Sequence, residues 1–197
     1  MKTEDLFAKR RSIYNLGNEQ VMTQDEIVAL IKHAVKYAPS AFNSQSARVL
    51  ILFGEAYRKL WDITMKALHK VTPPERLENM IIKISSFQKG LGTVLFFEDE
   101  TAIRALKSQY PLYAENFPIW AQQSNGMLQY MIWSALTEHN VGASLQHYNP
   151  LIDDAVRTEF AVPEDWKLVA QMPFGSIAAP ADDKTFQPLE GRVKVFD

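Results

Sequence analysis

Pro39-Ser40-Ala41-Phe42-Asn43-Ser44-Gln45-Ser46, followed by the apolar run Val49-Leu50-Ile51-Leu52-Phe53 and the stop Gly54, is the passage on which the fold turns. A helix must end before it, because the residue ahead of a proline is steered out of the α region. That helix opens at Thr23, where Thr23 and Glu26 have the spacing of a capping box. Ile27, Leu30, Ile31, Ala34 and Val35 then recur at helical intervals and form one apolar stripe. The run 49–53 is continuous rather than alternating, so it predicts a strand buried on both faces. Helix, polar loop and buried strand in this order place a loop rich in Ser, Asn and Gln at a strand mouth.

Working outward, residues 55–69 carry Tyr57, Leu60, Trp61, Met65 and Leu68 at helical spacing. Thr72-Pro73-Pro74-Glu75 restarts a second helix, with proline at an early position. Thr93-Val94-Leu95-Phe96-Phe97 repeats the buried-strand pattern. Residues 109–118, with two prolines and two tyrosines, read as an excursion or lid. Residues 119–140 form a long helix that is apolar around much of its circumference, hence central and largely buried, with Gly142 as its stop. Residues 143–148 read as a short strand, Asn149-Pro150 as a capped helix start, and Leu168-Val169-Ala170-Gln171-Met172 as a further strand. The tail Val193-Lys194-Val195-Phe196 is too short to stand alone as a strand and must pair with something. Strands alternating with helices predict an α+β fold, an α/β sandwich around a mixed sheet.

The chain has 197 residues, which fits a single domain of the usual ~100–200 residues. It has no cysteine, which excludes a disulfide scaffold, a thiolate zinc site, a cysteine nucleophile and iron–sulfur ligation. A net charge of -2, from 21 basic and 23 acidic residues, argues against a nucleic-acid partner, which needs a basic face. The start carries acids and no apolar run, and no stretch approaches the ~20 apolar residues of a membrane span. A soluble, cytoplasmic protein without a membrane partner is expected.

Several motifs carry chemistry in more than one way. Gly90-Leu91-Gly92 begins like a dinucleotide fingerprint, but the strand follows it instead of preceding it. His33, His69, His139 and His147 lack ligand spacing, so no metal site is expected. Lys9-Arg10-Arg11-Ser12 is either a solvated charge run or an anion clamp, since Arg offers a planar fork of donors matched to phosphate oxygens. The loop 39–45 is either a turn or a reader of ligand amides and hydroxyls, because Asn and Gln both donate and accept. Ser144-Leu145-Gln146-His147-Tyr148-Asn149-Pro150 puts polar and aromatic groups at a strand end, where ligands of α/β proteins gather. Arg192 and Lys194 lie two apart, either as a second pair of phosphate cations or as plain surface charges.

Together and in this order, these segments resemble the nitroreductase family of FMN flavoproteins. The resemblance rests on Lys9-Arg10-Arg11-Ser12, on Tyr37-Ala38-Pro39-Ser40-Ala41-Phe42-Asn43-Ser44-Gln45 and on the basic tail, and it spans nearly the whole chain. Gly92-Thr93-Val94-Leu95-Phe96-Phe97-Glu98-Asp99, Leu145-Gln146-His147-Tyr148-Asn149-Pro150-Leu151 and Pro188-Leu189-Glu190-Gly191-Arg192-Val193-Lys194-Val195 look like the short bacterial and fungal stress-response subgroup, which includes fungal proteins linked to fatty-acid repression. The resemblance implies a mainly antiparallel sheet flanked by helices. It also implies a homodimer with FMN at the interface and a C-terminal tail, about residues 185–197, that embraces the partner.

Carried over residue by residue, it assigns Arg10, Arg11 and Ser12, with Tyr14 close by, to the FMN phosphate and ribityl edge. Pro39, Ser40, Asn43 and Gln45 touch the FMN from the other subunit, Gln146, His147 and Tyr148 cover a ring face, and Arg192 and Lys194 return to the phosphate. The implied activity is FMN-dependent NAD(P)H oxidoreduction by ping-pong hydride transfer through flavin N5, with nitroaromatics or quinones as acceptors and no catalytic side chain. A flavin-binding regulator or store with little turnover is the alternative. Tyr113, Phe117 and Trp120 either line the acceptor site or fill the core. The pattern departs at Tyr14, where many members carry a cation that steadies the reduced flavin; Lys83 and Lys89 are the substitutes considered. It departs again at Ser46-Ala47, where a Pro-Trp pair is usual.

Overall fold

The computed structural model describes residues 2–196. In chain order it contains α1 (Thr3–Lys9), β1 (Leu16–Gly17), α2 (Gln24–Tyr37), β2 (Ala47–Phe53), α3 (Gly54–His69), α4 (Leu77–Gln88), β3 (Gly92–Asp99), α5 (Glu100–Gln109), α6 (Phe117–Glu138), β4 (Gly142–Ala143), α7 (Asp153–Phe160) and β5 (Trp166–Ile177). The strands form one sheet in the order β1-β5-β3-β2, with β4 also on β5. Every strand pair is antiparallel. A parallel bridge from Ser12 to Ala143 makes the sheet mixed only at its margin. This is the expected α+β sandwich.

β3 explains why the sheet is read so easily from sequence. It is buried throughout except at Asp99, because helices cover both its faces. Val94 and Phe96 pack with Ile31 of α2 and Leu128 and Ile132 of α6. Leu95 and Phe97 pack with Leu60 and Trp61 of α3, Ile84 and Phe87 of α4 and Val156 of α7. Side chains alternate across a strand, so a run with no polar position is what two apolar layers require. Gly90, just ahead of β3, and Gly92, its first residue, serve this packing. A Cβ on Gly92 would sit 2.6 Å from the Leu52 carbonyl oxygen, and one on Gly90 would sit 2.6 Å from that of Phe174.

α2 opens as predicted. The Glu26 amide donates to Thr23 Oγ1 at 3.2 Å, and the Thr23 amide donates to the Glu26 carboxylate at 2.8 Å. Ile27, Ile31 and Ala34 are buried, while Val35 is exposed at the stripe's edge.

Three expectations need correction. Asn149-Pro150 does not start a helix: the bond is cis, and α7 opens at Asp153. Gly142 is not a stop but part of β4; α6 ends at Glu138, and Asn140, at φ 59°, turns the chain out of it. Only Gly142–Ala143 of the segment around residues 143–148 is strand, with an isolated bridge from Gln146 to Gln171. The tail over residues 193–196 is exposed and pairs with no strand among the described residues. α1 and α5 lie outside the sequence-based expectations. No helix among the described residues is long and apolar enough to cross a membrane.

Candidate functional site

The segment after α1 is docked rather than loose. The Ile13 amide donates to the Ala143 carbonyl at 2.9 Å, and Ser12 bridges the same residue. This holds Arg10, Arg11, Ser12 and Tyr14 around a cavity of about 330 Å³, closed on its other side by Ala181, Asp182 and Lys184. The Arg10 guanidinium lies 4.2 Å over the Trp133 ring, and the Arg11 guanidinium donates to the Asp182 backbone carbonyl. Three cations against one acid leave a surplus of two positive charges beside a hydroxyl. That donor set fits a phosphate monoester, which takes charge-assisted hydrogen bonds from guanidinium, ammonium and hydroxyl groups. Asp182 and Lys184 were not singled out from sequence, because Asp182-Asp183-Lys184 has no motif character and gains meaning only where the chain returns past Ser12.

Tyr14 joins this cavity to an aromatic neighbourhood. Lys83 Nζ lies 5.9 Å from each of the ring centroids of Tyr14, Phe87 and Tyr148. Tyr148 is fixed from below: its amide donates to Gln171 Oε1 at 2.8 Å, and Trp61 meets its ring edge-on at 6.0 Å. Burial pushes the Tyr148 phenol up to about 12. His147 is exposed. Gln146 is buried, exchanges backbone hydrogen bonds with Gln171 and donates from its side chain to Ser144 Oγ at 3.1 Å, so its amide group serves the sheet. Lys83, named from sequence only as a substitute for a missing cation, is thereby brought to Tyr14.

The loop 39–45 lies elsewhere. Pro39, Ser40 and Gln45 line a cavity of about 420 Å³ with Arg48, Ser124, Leu128 and Trp166. Ser40 Oγ accepts from the Gln45 amide at 3.0 Å, and the Asn43 amide donates to the Ser40 carbonyl. Phe42, Asn43 and Gln45 all have positive φ, at 56°, 50° and 46°. Three left-handed residues without a glycine are costly, and such outliers gather where a site demands a fixed shape. Phe42 is held in place by rings: Tyr110 at 4.8 Å, Phe117 at 5.3 Å, Tyr113 at 5.9 Å and Trp120 at 6.0 Å. Phe42 and Trp120 line an adjoining cavity of about 460 Å³ with Gln123, Ser124 and Met127. Of the predicted aromatics, Phe117 is core, Tyr113 is exposed against Phe42, and Trp120 lines this cavity.

The sheet separates the two groups. Tyr14 and Tyr148 lie with Trp61 and Phe87 on one face, while Pro39, Ser40 and Gln45 border Ile31 and Leu128 on the other. Arg192 and Lys194 are on the exposed tail, with no hydrogen bond or ion pair to residues 10–14 among the described residues.

Similarity to known proteins is extensive. Two Saccharomyces cerevisiae proteins, HBN1 and the nitroreductase FRM2, are 35% and 34% identical, covering 95% and 90% of this chain and 93% and 89% of their own lengths. The nitroreductase CinD from Lactococcus lactis, solved with chloramphenicol, is 43% identical with a TM-score of 0.91, and all of both chains is covered. A nitroreductase from Desulfitobacterium hafniense, 20% identical with all of both chains covered, has the same fold at a TM-score of 0.72 and was solved with bound FMN. The sequence profile of the Nitroreductase family matches residues 7–176, and the chain belongs to that family.

Proposed function

We propose that this nitroreductase-family chain is an FMN-dependent NAD(P)H oxidoreductase of the cytoplasm, acting on nitroaromatics and quinones as a homodimer. The observation that carries the reading is the cationic cavity of Arg10, Arg11, Ser12 and Lys184, bordered by Tyr14, with the half-buried Tyr148 ring sharing Lys83 as a neighbour with Tyr14. A cationic cavity for a phosphate with tyrosine rings beside it suits the two ends of a flavin mononucleotide.

When bound, FMN would supply ping-pong hydride transfer through ring N5 between NAD(P)H and an electron-poor acceptor. This chain's residues bind and orient. Arg10, Arg11, Ser12 and Lys184 grip the phosphate, while Tyr14 and Tyr148 border the ring. Phe42 and Trp120 offer flat surfaces to an aromatic acceptor. Hydride transfer between stacked rings needs no nucleophile and no proton-shuttling dyad, so no side chain is assigned such a role.

The dimer follows from separation. One chain holds Tyr14 and Tyr148 on the opposite side of its own sheet from Pro39–Gln45, so one cofactor touches both sets only when the second comes from a partner. Exposed apolar residues support a partner surface: Ile119, Met127 and Tyr130 on α6, and Phe186, Val195 and Phe196 on the tail. The tail embracing the partner would carry Arg192 and Lys194 to the phosphate. CinD was also solved with 4-nitrophenol and with nicotinic acid, flat rings of the kind proposed for this site.

The test is absorbance and turnover together. Protein titrated with FMN should show flavin bands near ~450 nm that do not dialyse away, and should consume NADH or NADPH when 4-nitrophenol or a quinone is added. A protein that holds FMN yet oxidises neither nucleotide with any acceptor is a flavin store, and the oxidoreductase reading fails.

A further inference from the structure

α1 buries no side chain, so what seats it is a row of contacts along α6 and its end. The Phe7 ring lies 6.2 Å from that of Tyr130, and one turn further along both helices the Arg10 guanidinium lies 4.2 Å over the Trp133 ring. Beyond them, Lys9 Nζ donates to Asn140 Oδ1 at 2.8 Å. Residues three apart on a helix share a face, so Phe7 with Arg10 and Tyr130 with Trp133 make two matching short stripes. α1 ends at Arg10, and the chain passes directly to Ser12, which is bridged to Ala143. Arg10 is thus fixed at the phosphate cavity in two ways: its backbone through the neighbouring bridge, its side chain through Trp133.

The Trp133 contact differs in kind from those of the other arginines. Arg11 gives a donor to the Asp182 carbonyl, and Arg48, Arg104 and Arg157 are paired with carboxylates. The Arg10 guanidinium donates to no acceptor and meets no carboxylate among the described residues; its neighbour is a ring. A carboxylate would hold the guanidinium but cancel its charge and occupy its donors. A ring face holds it by quadrupole attraction and leaves charge and donors for an anion. Tryptophan at this position also has a cost that packing does not explain. Trp133 packs against the core beneath α6, yet its buried Nε1 has no hydrogen-bond partner among the described residues. A buried indole N–H ordinarily finds one, and phenylalanine would fill the same apolar ground without that cost. What tryptophan adds is the ring face that attracts a cation most strongly.

We propose that Trp133 is a positioning residue for the cofactor phosphate: from α6, its indole face holds the Arg10 guanidinium at the cavity with charge and donors unspent. The inference rests on the FMN reading and deepens it, since it traces the grip on the phosphate to a side chain that does not itself line the phosphate cavity.

The experiment measures dissociation constants for FMN and for riboflavin, which has the same ring and no phosphate, by flavin-fluorescence titration. The proteins compared are wild type, Trp133→Leu, Trp133→Phe, Arg10→Ala and the double variant Trp133→Leu with Arg10→Ala. Trp133→Leu should weaken FMN binding by about 3- to 30-fold, the worth of a cation–π contact, and leave riboflavin within about twofold of wild type. Trp133→Phe keeps a ring face and should lose less than Trp133→Leu. With Arg10 already removed, Trp133→Leu should cost FMN less than about twofold, since no guanidinium is left to hold. Wild-type FMN affinity in Trp133→Leu would overturn the proposal. So would equal weakening of FMN and riboflavin, or the same loss with and without Arg10; either would leave Trp133 as packing for α6 alone. Trp133→Met replaces Trp133→Leu if the latter does not fold. Wild-type protein that takes up no FMN at saturation would instead overturn the flavin reading itself, and undiminished FMN affinity in Arg10→Ala would overturn the phosphate assignment, both distinct results.

Discussion

Glu98 offers a sharp test of the packing that carries the site. It lies near the end of β3, 0% exposed, on the side of the strand that faces α6. Glu98 Oε1 accepts from Asn125 Nδ2 at 2.7 Å, and Gln129 Nε2 donates to Asn125 Oδ1 at 2.7 Å. Glu98 Oε2 and the nearby Ser46 Oγ are both buried and complete no hydrogen bond of normal geometry. Burial raises the Glu98 pKa, opposed by Ser46, Asn125 and Arg48 and assisted by Glu100; Arg48 itself is paired with Asp99 at 2.8 Å. With the folded pKa above the unfolded value of ~4.3, the proton is held more tightly in the native state. The contribution to stability is therefore fully present below ~4.3 and lost as pH rises through the folded pKa. Glu98→Gln imitates the protonated acid: its oxygen accepts from Asn125 and its NH2 can donate to Ser46. Satisfying one buried polar pair is worth ~1–3 kcal/mol. At ~2 kcal/mol, and ~2–4 °C per kcal/mol for a chain of this size, the variant should melt about 4–8 °C above wild type at pH 7.5. At pH 4 the difference should shrink toward zero. Paired calorimetric melts at the two values measure it. A variant that melts at or below wild type at pH 7.5, or gains equally at both, refutes the reasoning.

Three further outcomes are expected. Arg10→Ala and Arg192→Ala should each weaken FMN retention by about 10- to 100-fold, the worth of a charge-assisted hydrogen bond, read by equilibrium titration; full occupancy in both would end the phosphate assignment. Phe42→Gly should leave FMN content unchanged, since glycine adopts φ 56° freely, while KM for a bulky aromatic acceptor rises several-fold with little change in the rate of reduction by NADH. Deleting residues 185–197 should shift sedimentation from two chains toward one, and a truncated chain that remains dimeric would show that the tail does not embrace a partner.

What the sequence disclosed depended on how local the cause was. β2 and β3 were legible because burial on both faces leaves no polar position, and α2 because Thr23 and Glu26 cap it with their own side chains. α1 was not, since its seven residues bury no side chain and so write no stripe. α5 was hidden because Glu98-Asp99-Glu100 looked like a plain acidic end to the strand; in the fold Glu98 turns inward, and Asp99 caps the next helix by accepting from the Thr101 amide. Asn149-Pro150 carried every local sign of a helix start, yet the chain there is occupied otherwise: the Asn149 side chain lies toward Gln171, and the first helical turn waits for Asp153.

The candidate site followed the same rule at longer range. Arg10, Arg11 and Ser12 announced an anion clamp by residue type alone, since guanidinium groups and a hydroxyl are what phosphate needs. Nothing in residue type could announce Lys184, which shares their cavity only because Ser12 bridges Ala143 and the chain leaving β5 passes the same spot. The same distinction decides the meaning of Pro39–Gln45. As a string it stands between two elements of one chain, and its Asn and Gln invite a ligand. In the fold it is held in a left-handed shape by Tyr110, Phe117 and Trp120, on the side of the sheet away from Tyr14 and Tyr148. In the proposed dimer, two copies related by a two-fold axis would bring the loop of each to the Tyr14–Tyr148 face of the other without any new sequence.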